Sequence, residues 1–157
     1  MQVKQATTSE DIEAARALFK EYEAWLGISL CFQNFDQELA NLPGSYAPPK
    51  GRLFLVYESD QLAGSIALRP IDHTTCEMKR LFLRSDFRGR GLGRKMVELI
   101  LKEAQTIGYL RIRLDTIPGR MSKAISLYRS FGFKEIEPYY DSPFGDTLFM
   151  ELDLQYL

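Results

Sequence analysis

Cysteine and histidine are scarce in this 157-residue chain, and no apolar run comes near the roughly 20 residues that a membrane-spanning helix needs. The two cysteines, Cys31 and Cys76, are too few and too isolated for a disulfide framework or a thiolate metal site. Each reads as a small buried hydrophobe, which suits a reducing compartment. Metal-ligand spacing is lacking throughout. The one histidine, His73, falls in a predicted turn, where solvation rather than catalysis is expected. Without a Gly-x-Ser-x-Gly segment as well, the sequence argues against a serine-hydrolase triad. The opening residues MQVKQATTSEDIEAARALF lack the basic-then-apolar order of a secretory signal, so a soluble, cytoplasmic protein is expected.

Hydrophobic residues make up 45% of the chain, enough for one substantial core, and a single domain over residues 1–157 is expected. The net charge is −1, yet Lys79, Arg80, Arg84, Arg88, Arg90, Arg94 and Lys95 stand against Asp86 alone, a local +6. Such a concentration suits a compact polyanionic ligand better than an extended nucleic-acid track. The plain alternative is a solvated basic helix end.

Periodicity sets out the elements. Gln2 to Ala6 reads as a strand, and Ile12, Ala15, Phe19, Tyr22 and Leu26 recur at helical spacing behind the capping candidates Thr8 and Ser9, predicting a helix over Ser9 to Leu26. Phe35, Leu39 and Leu42 predict a shorter helix that Pro43 and Gly44 end. RLFLVYE, LAGSIALRP and CEMKRLFLR follow as an antiparallel meander. Leu92, Met96, Ile100, Ala104 and Ile107 form an apolar stripe on a helix from about Gly91 to Ile107, with Gly108 as its C-cap. LRIRLDT is a strand, Ser122 caps a helix carrying Ala124, Leu127, Tyr128 and Phe131, and FKEIE and TLFMELDL close the chain as strands. The order β-α-α-β-β-β-α-β-α-β-β describes an α/β (α+β) mixed sheet with helices on both faces.

Arg88-Gly89-Arg90-Gly91-Leu92-Gly93 lies between a strand and the start of the strongest helix. Each glycine there costs a helix up to about 1 kcal/mol, so three of them call for a reason. Without Cβ atoms, successive N–H groups can turn inward onto a ligand, and the helix amino end adds unpaired donors and partial positive charge. This reads as a diphosphate cradle. The spacing fits neither a dinucleotide fingerprint, which needs glycine at Arg94, nor a nucleoside-triphosphate loop, which needs Gly-Lys-Ser/Thr.

Arg88-x-x-Gly91-x-Gly93 resembles the Arg/Gln-x-x-Gly-x-Gly/Ala signature of the GNAT N-acetyltransferases. Glu77-Met78-Lys79-Arg80-Leu81-Phe82-Leu83 is similar to that family's fourth strand, and Ala124 to Phe133 matches its A-x-x-L-Y-x-x-x-G-F helix. The resemblance implies a GNAT-like fold with a splayed, mostly antiparallel sheet, and acetyl-CoA as co-substrate lying in the splay. The backbone of Leu81, Phe82 and Leu83 would bind its pantetheine arm, and N–H groups from Arg88, Gly89, Arg90, Gly91, Leu92, Gly93 and Arg94 its pyrophosphate. Many family members carry asparagine where this chain has Met121, so Ser122 or the backbone would have to serve instead.

By the same resemblance Tyr128 matches a general acid that protonates the leaving thiolate, with the plain reading that it is a core aromatic. Glu77 matches an acidic residue that serves as general base; strand alternation puts it on one side with Lys79 and Leu81, so an ordinary Glu/Lys pair is the competing reading. Asp115 or water is the alternative base. The Leu83 N–H would be the oxyanion donor. No metal is expected. The acceptor would be a small-molecule primary amine, bound by helices one and two and by residues 138–146, where Asp36, Glu38, Asp141 and Asp146 could attract it. A peptide or protein amine, and a non-catalytic acyl-CoA sensor, are the rivals. Neither nucleic acid nor membrane is expected as partner, and a homodimer stays open.

Overall fold

A computed structural model describes residues 1–157, with the side chain of Phe32 excepted. The elements follow the expected order: β1 (Gln2–Gln5), α1 (Ser9–Leu26), α2 (Phe35–Ala40), β2 (Arg52–Glu58), β3 (Gln61–Pro70), β4 (Thr75–Leu83), α3 (Leu92–Ile107), β5 (Arg111–Thr116), α4 (Pro118–Phe131), β6 (Lys134–Ile136) and β7 (Leu148–Asp153). α1 starts where local chemistry says it should. The Thr8 hydroxyl accepts from the Asp11 N–H, and the Asp11 carboxylate accepts from Thr8 in return, a reciprocal cap.

One seven-stranded sheet runs in the order β1-β2-β3-β4-β5-β7-β6, antiparallel except where β4 meets β5. Alternation along each strand divides the core between its two faces. Leu53, Leu55, Ala67 and Phe82 pack with Ala15, Leu18 and Phe19 of α1 and Phe35 and Leu39 of α2. Phe54, Val56, Ile66, Leu68 and Met78 pack on the other face with Met96, Val97 and Ile100 of α3 and Tyr128 of α4. Each buried Val, Leu, Ile, Phe or Met among these contributes about 1.5–3 kcal/mol.

Three local expectations are corrected. Cys76 is buried, but Cys31 is exposed, since it sits in a single turn of 3-10 helix before α2 rather than in the core. A first turn beginning at Pro118 precedes the expected helix, and the axis breaks at Met121, whose φ/ψ of −131°/34° is not helical; the run carrying Ala124 to Phe131 starts straight after it, with Ser122 inside the helix rather than as its side-chain cap. Leu81 does not share a face with Glu77. A bulge shifts the β3–β4 register between Ser65 and Ala67, and Arg80 takes φ +59°, so alternation restarts one residue late. Leu81 thereby packs towards α3, while Glu77, Lys79 and Phe82 face α1 and α2.

Candidate active site

β4 and β5 pair at only three positions, ending at Glu77 opposite Arg113, although β4 runs on to Leu83 and β5 to Thr116. Beyond that point the strands splay. The direction of the freed backbone can be read from the β3 side. The Arg84 N–H donates to Ala63 O at 2.8 Å, and a Cβ on Gly64 would stand 2.1 Å from Phe82 O, so Phe82 O and the Arg84 N–H both point at β3. Successive residues alternate, which turns the N–H and C=O of Leu81 and Leu83 towards the gap. Phe82 offers its ring to the gap, not its amide.

A groove of about 540 Å³ continues from this edge, lined by Leu81, Leu83, Arg88, Gly89 and Gly93 on one side and by Arg120, Ser122, Lys123 and Leu127 on the other. Gly91 caps α3 at φ +77° and Gly89 has φ +76°, the left-handed region that glycine enters without strain. A Cβ on either would meet nothing within 4 Å, and Gly89 borders the groove. The first N–H groups of α3, from Leu92 to Arg94, have no helical carbonyl to bond and carry the positive end of the helix dipole.

The basic cluster is only half of what its charge suggested. Lys79 is paired with Asp115 (3.3 Å), Arg80 with Glu38 through two 2.9 Å bonds, and Arg84 with Glu21 (2.7 Å). Arg88 lies across the rings of Trp25 and Phe82 and donates to Leu83 O at 2.8 Å, so it spans the groove floor. Arg94 stacks on Phe131 and donates to Ser130.

At the inner end of the gap, a narrow cleft joins the groove to the opposite face. Tyr128 belongs to both, lining the groove beside Leu127 and the cleft beside Tyr22 and Leu114. Its ring is 2% exposed and packs on Phe133 at 5.8 Å. Burial, with the Tyr22 and Asp115 charges adding to it, pushes its phenol far above the usual range; burial likewise pushes Tyr22 up to about 12.

On the far side lies a mouth of about 480 Å³, lined by Gln33, Asn34, Arg69, Glu77, Tyr139 and Tyr140 among others. Here the charges are crossed and matched. Glu77 accepts from Arg69 Nε (2.9 Å) and from the Tyr139 hydroxyl (2.6 Å). Asp115 accepts from Lys79, from Gln33 and from the Tyr140 hydroxyl. Burial raises the Asp115 carboxyl, but the Lys79 charge and the Tyr140 bond outweigh it and hold it below the usual carboxylate range. The two regions expected to shape this mouth both reach it, through Gln33, Asn34 and Ser45 and through Tyr139 and Tyr140. Glu38, expected to attract an amine, is instead taken up by Arg80, and Asp36, Asp141 and Asp146 are exposed away from the mouth's lining. His73 sits exposed in the β3–β4 turn.

The model of the acetyltransferase (GNAT) family matches residues 10–133 of this chain. The chain belongs to the GNAT family. An uncharacterized N-acetyltransferase of Schizosaccharomyces pombe is 37% identical over 92% of this chain and 90% of its own. An acetyltransferase from Streptococcus agalactiae superposes with a TM-score of 0.78 at 26% identity, 97% of each chain being covered. The yncA protein of Salmonella typhimurium, solved with its cofactor acetyl-CoA, gives a TM-score of 0.69 at 20% identity over 98% of this chain and 94% of that one.

Several residues at this GNAT site escaped sequence reasoning. Trp25, at the end of α1, and Arg120 and Lys123, just ahead of the Ala124 motif on α4, line the groove although none of them belongs to a motif. Arg69 had a readable signal: it stands directly across from Glu77 in the β3–β4 register, an opposite-charge cross-strand pair that the hairpin turn at residues 71–74 fixes.

Proposed function

We propose that the protein transfers an acetyl group from acetyl-CoA to an amine. The observation that carries this reading is the splay. The Leu81 and Leu83 amide edges are turned into a groove whose other end is the glycine-lined amino terminus of α3, fitting an extended amide arm that ends in phosphates. The acetyl-CoA bound to the yncA protein supports the same cofactor in this fold.

Bound there, the thioester supplies an activated acyl carbon. Leu81 and Leu83 hold the arm, and the Leu83 N–H is aimed to stabilise charge on the acyl oxygen. Backbone N–H groups from Arg88 to Arg94 hold the pyrophosphate, with Arg120 and Lys123 across the groove as further cations. Tyr128, at the join of groove and cleft, donates its proton to the sulfur as the carbon–sulfur bond breaks. Glu77 takes the proton that the amine nitrogen loses as the nitrogen–carbon bond forms, directly or through a water. Glu77 suits this role better than Asp115, because it borders the open mouth while Asp115 is held strongly ionised by Lys79. The products are the N-acetylated amine and a free thiol.

Acetyl-CoA at 100 times its dissociation constant should raise stability by about 2.7 kcal/mol, and ADP by much less because it lacks the arm. A melting temperature unchanged by millimolar acetyl-CoA would sink the assignment.

A further inference from the structure

The acceptor mouth has its own chemistry, and it is not that of a trap for polycations. Every carboxylate around it is already engaged by a cation of the chain: Glu77 by Arg69, Asp115 by Lys79, Glu38 by Arg80. A spermidine or an aminoglycoside that set an ammonium on Glu77 would add a second cation beside Arg69 and bring no carboxylate to offset it. What is uncommitted is positive. Arg69 spends only its Nε on Glu77, no described residue takes its two Nη groups, and its side chain, 31% exposed, lines the mouth. Five donors in a planar fork match a carboxylate.

A second observation points to a ligand at the same place. The mouth opens into a polar arm of about 250 Å³, walled by Gln33, Asn34, Gln37, Ser45, Tyr46 and Arg69 with others. Tyr46 is 1% exposed, and its hydroxyl lies beside the Glu38 carboxylate, which also walls this arm. The Arg80, Glu38 and Arg69 charges all act on that hydroxyl, which puts it in their midst.

We propose that the acceptor is a free α-amino acid, an inference that rests on the acetyl-transfer reading above. An α-amino acid carries an amine and a carboxylate on one carbon. Arg69 and Glu77, 2.9 Å apart, present the complementary pair. Arg69, with the polar arm beside it, takes the carboxylate; Glu77 takes the ammonium and then its proton. The amine nitrogen is thereby set at the mouth end of the cleft that leads to Tyr128. It receives the acetyl group as the thiol is released, giving an N-acetyl amino acid.

The test measures thiol release by the full chain at saturating acetyl-CoA, with the common α-amino acids, their carboxamides, spermidine and kanamycin as acceptors. The best amino acid should exceed its carboxamide by about 10- to 100-fold in kcat/KM, the usual weight of a charged hydrogen-bonded contact. Arg69→Gln should bring that ratio near one, chiefly through KM. Arg69→Lys, which keeps a cation beside buried Glu77, should retain part of it. If neither variant folds, the wild-type ratio decides alone. A ratio near one in the wild type, or preference for spermidine or kanamycin, overturns the proposal. Calorimetric binding of the amino acid gives a readout without turnover. Arg69-dependent binding with no thiol release would overturn the transfer reading and the acceptor role with it, leaving an amino-acid binding site; thiol release with other amines only would overturn this proposal and leave the transfer reading standing.

Discussion

Tyr128 and Asp115 illustrate how much one side chain's surroundings decide. Both line the same cleft, Tyr128 buried and Asp115 partly so, but no carboxylate bonds Tyr128, whereas Asp115 is bound by Lys79 and Tyr140. The phenol is driven up and the carboxyl down. An acid catalyst works while it is protonated, so a raised value extends its working range upward. Hence kcat should show no alkaline decline from Tyr128 up to about pH 10, the ordinary phenol value. Tyr128→Phe keeps the ring against Phe133 and removes only the proton donor. Its kcat should fall by about 10²- to 10⁴-fold with cofactor affinity nearly unchanged. Undiminished turnover in that variant would return Tyr128 to the plain role of a core aromatic.

The strand-to-helix elements explain why the site was legible in part. α1 was readable to its last residue because a polar cap and an apolar stripe are both local. The glycines before α3 were readable because their cost in a helix is local too. The bulge at Arg80 was not, because nothing in the run CEMKRLFLR marks one residue for positive φ. What holds Arg80 there is Glu38, 42 residues away, together with the Phe35 ring at 5.0 Å. Pairings of that range are set by the finished fold. The same distinction guides the choice of variant in the cradle. Gly91 stands at φ +77°, so a side chain there would strain the backbone as well as block the ligand. Gly93 is helical, and a Cβ there would meet only Leu127 Cδ2 at an ordinary 3.8 Å. Gly93→Val should therefore fold with a melting temperature near or above wild type, since valine is the better helix residue. Its affinity for coenzyme A by calorimetry should drop at least tenfold. Wild-type affinity in the folded variant would mean that the phosphates bind elsewhere.

Across the whole molecule, the sheet is continuous on either side of one seam. Three β4–β5 positions hold the two halves together, and beyond them the strands part, bridged by the Lys79–Asp115 pair. A seam of this kind keeps time. Where β4 is paired only with β3, its amides should divide by parity in hydrogen exchange. The Phe82 and Arg84 amides, turned towards β3, should exchange slowly in the free protein, and those of Leu81 and Leu83 quickly. Acetyl-CoA should slow the fast pair and leave the slow pair as they were, so the bound arm would be visible as a missing strand supplied from solution. Equal protection of all four amides before the cofactor is added would mean that the seam is closed.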